Sequence, residues 1–247
     1  MARASNIEWT DMTWNPVTGC TKVSAGCKHC YAEAMAKRLQ AMGSERYKDG
    51  FKLRIHDDLV LLPLHWKKPR RVFVNSMSDL FHSDVPFEFL RRVFETMNMC
   101  PQHQFQVLTK RPERLVEVAD SLTWTENIWM GVSVENQRHA FRSELLSTVP
   151  AAVRFISAEP LIGALDDLPL DGIHWVIVGG ESGPKARPMK EEWALSVFRQ
   201  CQSAHVAFFF KQWGGVQKHR NGREFLGRTF DEFPVPASAA VQTLLAV

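Results

Sequence analysis

Short apolar runs recur along the chain, and each gives way to a polar or glycine-bearing turn and then to a stretch with helical spacing. The runs at 14–20, 71–76, 105–109, 128–134, 153–158, 175–179 and 206–211 are rich in β-branched and aromatic residues and alternate only weakly. Weak alternation is expected of strands covered on both faces, as in a parallel sheet. Between them lie helical segments. Residues 29–43 carry Ala32, Met35, Ala36 and Leu39 at helical spacing. Residues 86–100 carry Phe87, Leu90, Val93, Phe94 and Met97 on one stripe, with Ser83 and Asp84 as cap candidates. Segments 112–120, 137–148 and 188–204 follow the same logic, two of them with proline at or near the first turn.

Strand then helix, repeated six or seven times, predicts an α/β fold with a parallel sheet and right-handed crossovers. The count suits a partial (β/α) barrel of six to seven parallel strands better than two dinucleotide-binding halves. Two pieces fall outside the repeat. An insertion at 44–70 leads into the basic run 67–71. A C-terminal extension at 214–247 contains the Asn221-Gly222 dipeptide, which predicts a hairpin, and Pro234 and Pro236, which predict an irregular tail. Residues 1–247 read as one barrel domain.

Composition narrows the class. Of 247 residues, 45% are hydrophobic and 23% charged, which supports a sizeable core and excludes a natively unfolded chain. No apolar run approaches the ~20 residues that span a bilayer, and residues 1–6 lack the apolar core of a secretion signal. The expected location is the cytoplasm, with no membrane partner. A net charge of +3 mildly favours anionic partners without establishing nucleic-acid binding.

The cysteines change the picture most. Three of the five, Cys20, Cys27 and Cys30, fall within eleven residues after the first predicted strand, spaced C-x6-C-x2-C. In a cytosolic chain such a group reads as metal binding before disulfides. Three thiolates on one loop can grip three corners of a 4Fe–4S cubane, with Gly19 and Gly26 letting the backbone fold around it. A fourth cysteine would close the site, as in electron-transfer ferredoxins. Cys100 and Cys201 do not supply it: they fall at or near helix ends, at the opposite rim of a βα repeat, and read as packing residues. An open iron is what cluster-bound chemistry requires. The alternatives are a structural zinc site, with His29 or a distant residue as fourth ligand, and three free thiols. A zinc ribbon normally offers two separated pairs, and the second is missing here.

A three-cysteine loop after the first strand of a parallel barrel resembles the radical S-adenosylmethionine (SAM) superfamily. The strings WNPVTGC at 14–20 and VNSMSDLF at 74–81 narrow the likeness to a phage and bacterial family of unknown function, the three-Cys-motif proteins. LTKRP at 108–112, GVSVE at 131–135, SAEPL at 157–161, GGESG at 179–183 and FKQWG at 210–214 extend the resemblance over nearly the whole chain. Most of the superfamily uses C-x3-C-x2-C with an aromatic residue before the last cysteine. Here the first spacing is three residues longer and His29 takes the aromatic slot, where the resemblance places it near the adenine of SAM.

In a (β/α) barrel the chemistry gathers at the carboxyl ends of the strands. Polar residues concentrate there: Asn75, Ser76 and Asp79, then Lys110 and Arg111, Ser133 and Glu135, Glu159, Glu181, and Lys211 with Trp213. Buried charges need partners. Those partners are each other, as Lys110 with Glu159 or Lys211 with Glu181, or a zwitterionic ligand. The resemblance implies that Asn75, Ser76 and Asp79 meet the SAM amino group, Lys110 its carboxylate, and Ser133 or Glu135 its ribose. Lys110, Glu159, Glu181 and Lys211 are the catalytic candidates, and Trp213 is the tryptophan placed for stacking on a ligand ring. The glycines at 179–183 do not form a dinucleotide fingerprint, because the spacing is wrong. The basic run at 67–71 reads first as a solvated face and second as a phosphate site. His103 and His205 stand in no ligand motif and read as surface or packing residues.

The activity that the resemblance implies is reductive cleavage of SAM by a cluster on Cys20, Cys27 and Cys30, followed by hydrogen abstraction from a substrate by the 5′-deoxyadenosyl radical. Basic rim residues Lys110, Arg111, Arg187 and Lys211 point to an anionic substrate, small molecule or nucleic acid. The phage link points to a nucleotide or a modified DNA base, single-stranded or flipped out. An electron donor such as flavodoxin or ferredoxin, and a partner protein encoded nearby, belong to the same expectation. Two other classes stay open. One is a metal- or cluster-containing nucleic-acid-binding or regulatory protein without SAM cleavage. The other is an enzyme that cleaves SAM to a different fragment.

Overall fold

A computed structural model describes residue 5 and residues 7–235, the side chains of residues 218 and 219 apart. Nine strands lie along the described residues: β1 (Met12–Trp14), β2 (Val17–Thr18), β3 (Arg54–Ile55), β4 (Arg71–Val74), β5 (Gln104–Thr109), β6 (Ile128–Ser133), β7 (Val153–Ala158), β8 (Trp175–Gly179) and β9 (Ala207–Gln212). The helices are α1 (Tyr31–Ala41), α2 (Asp57–Val60), α3 (Phe87–Asn98), α4 (Pro112–Ala119), α5 (Phe141–Ser147), α6 (Glu191–Ser203) and α7 (Lys218–Asn221). Seven strands form one sheet in the order β1-β4-β5-β6-β7-β8-β9, every neighbour parallel. It is an open half-barrel, the partial barrel expected from the strand–helix repeat. Among the described residues no helix is long and apolar enough to cross a membrane.

Several boundaries differ from expectation, each for a local reason. The predicted first strand at 14–20 is two strands. Pro16 has no N–H to give a ladder, and the chain leaves the main sheet there. β2 then pairs antiparallel with β3 of the insertion, so the insertion's strand builds a small separate ribbon. Ser83 and Asp84 do not cap α3. Pro86 holds the cap position, and the Asp84 N–H instead donates to His82 Nδ1 at 3.1 Å. Segment 137–148 is a 3₁₀ turn (Gln137–His139) followed by α5. The link from β7 to β8 carries no helix. Asn221 and Gly222 end α7 instead of turning a hairpin, and the tight turn falls later, where Phe225 and Arg228 pair around Leu226 and Gly227. Pro234 is described; Pro236 and the rest of the expected tail lie outside the described residues.

Side chains of the sheet alternate between two apolar layers. Those facing the helices, such as Val74, Val107, Val132, Ile156, Val178 and Phe210, join the helix stripes in one large core. Those facing the concave side form a second, aromatic core with Trp9, Phe73, Trp129, Phe155, Trp175 and Phe209. The Trp175 ring lies 4.8 to 6.3 Å from those of Trp9, Trp129, Phe155, Phe209 and Phe233. Each such side chain contributes roughly 1.5–3 kcal/mol by leaving water. Two residues further along four of these strands, the same concave face turns polar. Phe73 is followed by Asn75, Leu108 by Lys110, Phe155 by Ser157 and Glu159, and Phe209 by Lys211. The half-barrel is a cup with an aromatic floor and a charged rim.

Candidate active site

The cysteine loop lies across that rim. β2 leads into Gly19, whose φ is +80° and where a Cβ would stand 2.1 Å from the Lys52 carbonyl oxygen, so no side chain fits. The Gly19 N–H donates to the Met77 carbonyl at 3.0 Å and that of Cys20 to Phe51 at 3.2 Å, so the loop starts from two fixed bonds. It runs through a 3₁₀ turn (Ala25–Cys27) to Cys30, which stands at the cap position of α1. All three thiols are free and partly buried. Burial pushes the Cys20 thiol up to about 11; the Asp79 carboxylate adds to the rise and Arg111 opposes it.

Side chains from four strand ends hold this loop. Thr21 Oγ1 lies 2.8 Å from His82 Nε2, and Arg111 Nη2 donates to the same hydroxyl at 2.8 Å and to the Thr21 carbonyl at 3.2 Å. Ser24 donates its hydroxyl to Glu135. Gly26 rests directly on that carboxylate: a Cβ there would stand 2.5 Å from Glu135 Oε1. Arg187 Nη2 donates to the Ala25 carbonyl at 3.0 Å while its N–H groups grip Glu181, with Nε at 2.8 Å.

The anchors are themselves compensated. Glu135 is fully buried; its Oε2 accepts from Arg142 Nη1 at 3.1 Å and lies 3.1 Å from His139 Nδ1, which hydrogen-bonds Asn136 Oδ1 at 3.0 Å. Burial alone would push the Glu181 carboxyl up. The hydrogen bonds and charge of Arg187, with His29 nearby, hold it below the usual carboxylate range. Asp79 accepts from Thr109 Oγ1 at 2.7 Å and from the N–H groups of Phe81 and Lys110 at 3.0 Å, tying two rim loops together.

The family described as "Protein of unknown function (DUF5131)" matches residues 4–234. The chain belongs to this family. No curated protein matches it. Among solved structures the chain is similar to spore photoproduct lyase. One mutant of that lyase, with dinucleoside spore photoproduct, gives a TM-score of 0.50 at 10% identity over 81% of this chain and 63% of the other. A second mutant gives 0.50 at 13% identity over 75% and 60%. A third, with bound AdoMet and the dinucleoside, gives 0.49 at 10% identity over 81% and 63%. The chain therefore spans about three-fifths of the length of these structures. At such identity the likeness concerns the fold alone: this DUF5131 member has a partial (β/α) barrel similar to that of spore photoproduct lyase.

Within this family member the remaining candidates are placed as follows. Lys211 Nζ lies 2.8 Å from Glu159 Oε1, so the ion pairs differ from the two anticipated ones. The reason is Gly179 on the strand between them. It puts no side chain on the concave face, and a Cβ there would stand 2.5 Å from the Glu159 carboxylate. Glu181 lies beyond the strand end and turns to Arg187 of its own loop. Lys110 faces the rim without an ionic partner among the described residues. Asn75 adopts a φ of +60°; its Oδ1 accepts from the Val17 N–H at 3.4 Å, and its buried Nδ2 has no partner. Ser76 donates to Asn15 Oδ1 at 3.2 Å. Ser133 is buried beside Glu135, its carbonyl accepting from Arg142 at 2.7 Å.

Trp213 does not offer a free stacking face. Its Nε1 donates to the Glu224 carbonyl at 2.7 Å, and its ring packs 4.9 Å from Phe210, because the C-terminal extension folds over it. The basic run leads into β4 at the end of the strand away from the site, and Arg71 pairs with Asp11 at 3.1 Å. Cys100 and Cys201 are fully buried in the helix-side core, and burial pushes the Cys201 thiol up to about 12. His103 packs against Trp66 and Phe105; His205 is exposed. Sequence reasoning passed over Thr21, Ser24, His82, His139 and Arg142. The signal available was the pair of arginines four apart, Arg138 and Arg142, directly after a strand end.

Among the described residues no three His, Cys, Asp or Glu side chains converge on one metal ion. A tetrahedral zinc with bonds of ~2.3 Å requires sulfurs roughly 3.8 Å apart. A cubane holds each thiolate at its own corner and asks for sulfurs that are spread apart. Soft thiols on one pinned loop are the donor type that both groups take.

Proposed function

We propose that the chain is a radical SAM enzyme acting on an anionic substrate in the cytoplasm. One observation carries this reading: three free thiols on one loop are held over the polar end of a half-barrel by bonds that need no metal. Such a loop is a ligand set organised in advance. Cys20, Cys27 and Cys30 would hold a 4Fe–4S cluster, which with SAM supplies one-electron cleavage of a carbon–sulfur bond, the electron coming from a donor such as flavodoxin or ferredoxin. The narrower likeness to the three-Cys-motif proteins rests on the strings at 14–20 and 74–81.

The chain's own residues divide the remaining work. Asn75 has a buried donor to give, which suits a carboxylate or ribose oxygen of SAM better than its ammonium. Lys110 offers a cation for the carboxylate and Ser133 a hydroxyl for the ribose, with His29 beside the adenine. Asp79, Glu135 and Glu181 have their oxygens engaged by protein donors, so they act as positioning residues for the loops. Ser76 holds Asn15 beneath the same loops. The Glu159–Lys211 pair faces the cup above the aromatic floor, where it would meet the substrate, and the floor excludes water from that side. Spore photoproduct lyase, similar in fold, is seen with a dinucleoside; with the basic rim, this supports a nucleotide or modified base as substrate.

The test uses anaerobically reconstituted, dithionite-reduced protein. The electron paramagnetic resonance signal of a cubane should shift when SAM is added, and 5′-deoxyadenosine should form and be lost in a Cys27→Ala variant. A colourless chain holding one zinc, or a cluster indifferent to SAM, would sink the enzyme in favour of a metal-bearing regulatory protein. A different SAM fragment would mean another cleavage.

A further inference from the structure

The rim beside the cysteine loop holds a second opening. A cavity of about 420 Å³ lies among the loops that follow β4, β5 and β6. Lys110, Arg111, Arg114, Arg138 and Arg142 line it, against a single carboxylate, Glu113. Three of these cations are partly occupied. Arg114 donates to the carbonyls of His82 and Val85, Arg111 to Thr21 with its Nε 3.9 Å from the Asp79 carboxylate, and Arg142 to Glu135 and the Ser133 carbonyl. Lys110 and Arg138 carry no counter-charge among the described residues. The Nε atoms of Arg111 and Arg142 are buried without a hydrogen-bond partner, and Arg142 is only 4% exposed.

Like charges gathered at a low-dielectric edge raise the local potential, and an anion arriving there relieves it. The volume falls in the range of nucleotide-sized ligands. The wall is not charge alone: Phe141 and Val23, each 42% exposed, also line the cavity. Cations for a phosphate beside an exposed aromatic ring for a base are the two elements that single-strand binding uses.

We propose that this cavity docks one nucleotide of a single-stranded nucleic acid, its phosphate on Arg138 and its base on Phe141. The inference rests on the substrate half of the function proposed above, but the binding needs neither cluster nor SAM, so the two can fail separately.

Fluorescence anisotropy of the full chain without cofactors, with a labelled single-stranded oligothymidylate, tests it. Arg138→Glu should weaken binding at least ~10-fold and reduce the salt slope by about one, and Phe141→Ala should also weaken it ~10-fold. Lys68→Glu, the same kind of charge change at the far end of the strands, should alter affinity less than ~2-fold. Circular dichroism melting of each variant separates lost binding from lost folding. Equal losses for Arg138→Glu and Lys68→Glu would reduce the effect to net charge and overturn the site. A mononucleotide that displaces the oligonucleotide at matched concentration would overturn the strand as occupant. Failure to bind in a preparation that still makes 5′-deoxyadenosine would remove this site and leave the enzyme. A Cys27→Ala chain that makes none should bind as the unaltered chain does.

Discussion

The two sides of the rim are furnished differently. Along β7 to β9 each inward charge meets an opposite one: Glu159 with Lys211 at 2.8 Å and Glu181 with Arg187. Along β5 and β6 cations prevail, and Lys110 and Arg138 stand without an ionic partner among the described residues. Matched, desolvated pairs fix geometry and are hard to break one partner at a time. Unmatched charge contributes little to the fold and waits for something mobile to neutralise it. The difference separates scaffold from ligand-facing surface within one ring of residues that the sequence presents as equivalent.

The largest effect should come from Glu135, the fully buried carboxylate on the cationic side. Glu135→Ala leaves Arg142 buried without a counter-charge and should cost about 3–5 kcal/mol in urea unfolding. It should also release Ser24 and the cysteine loop, read as faster protease cleavage at 21–26. A loss below ~1 kcal/mol would mean that Glu135 does not serve as that side's scaffold. A contrast comes next. Lys211→Met strands Glu159 on the matched side and should cost about 1–3 kcal/mol, whereas Arg138→Ser on the other should stay within ~0.5 kcal/mol. Equal costs would erase the distinction.

Acid should bring the smallest effect per group. Burial lowers the pKa values of His56, His82, His103, His139 and His174. Above about pH 6.5 both folded and unfolded chains hold them neutral; below it the unfolded chain takes up protons first, so stability should fall as pH drops. Glu181, lowered chiefly by Arg187 against the pull of burial, adds a second loss only as pH falls below about 4.3. A urea midpoint no lower at pH 5.5 than at 7.5 would contradict the histidine burial.

Much of this was legible in the chain because period and position carry it. Strands covered on both faces announce themselves as apolar runs, and Val153–Ala158 and Trp175–Gly179 fall on the bounds their sequences predict. The polar residues at the carboxyl ends of the strands marked the rim. What the sequence concealed depends on distances across the sheet. Gly179 reads as a turn glycine; in the fold it is the gap through which Lys211 reaches Glu159 two strands away. Glu135 reads as a ligand contact, yet Gly26, more than a hundred residues earlier, lies against it. Asn221 and Gly222 carry the hairpin dipeptide and end a helix, because Phe225 and Phe230 fold back onto Phe208 and leave the turn to Leu226 and Gly227.

The aromatic floor has a kinetic meaning. Trp9, Trp129, Trp175, Phe155 and Phe209 are each at most 2% exposed and fill the cup from below. A vessel closed at the bottom makes its visitors queue. Under the function proposed above, a ligand seated on this floor would be covered by one bound at the rim, so an excess of the outer ligand would trap the inner one or bar its entry. Steady-state rates with two ligands would then show an ordered pattern, with inhibition by the outer ligand at high concentration.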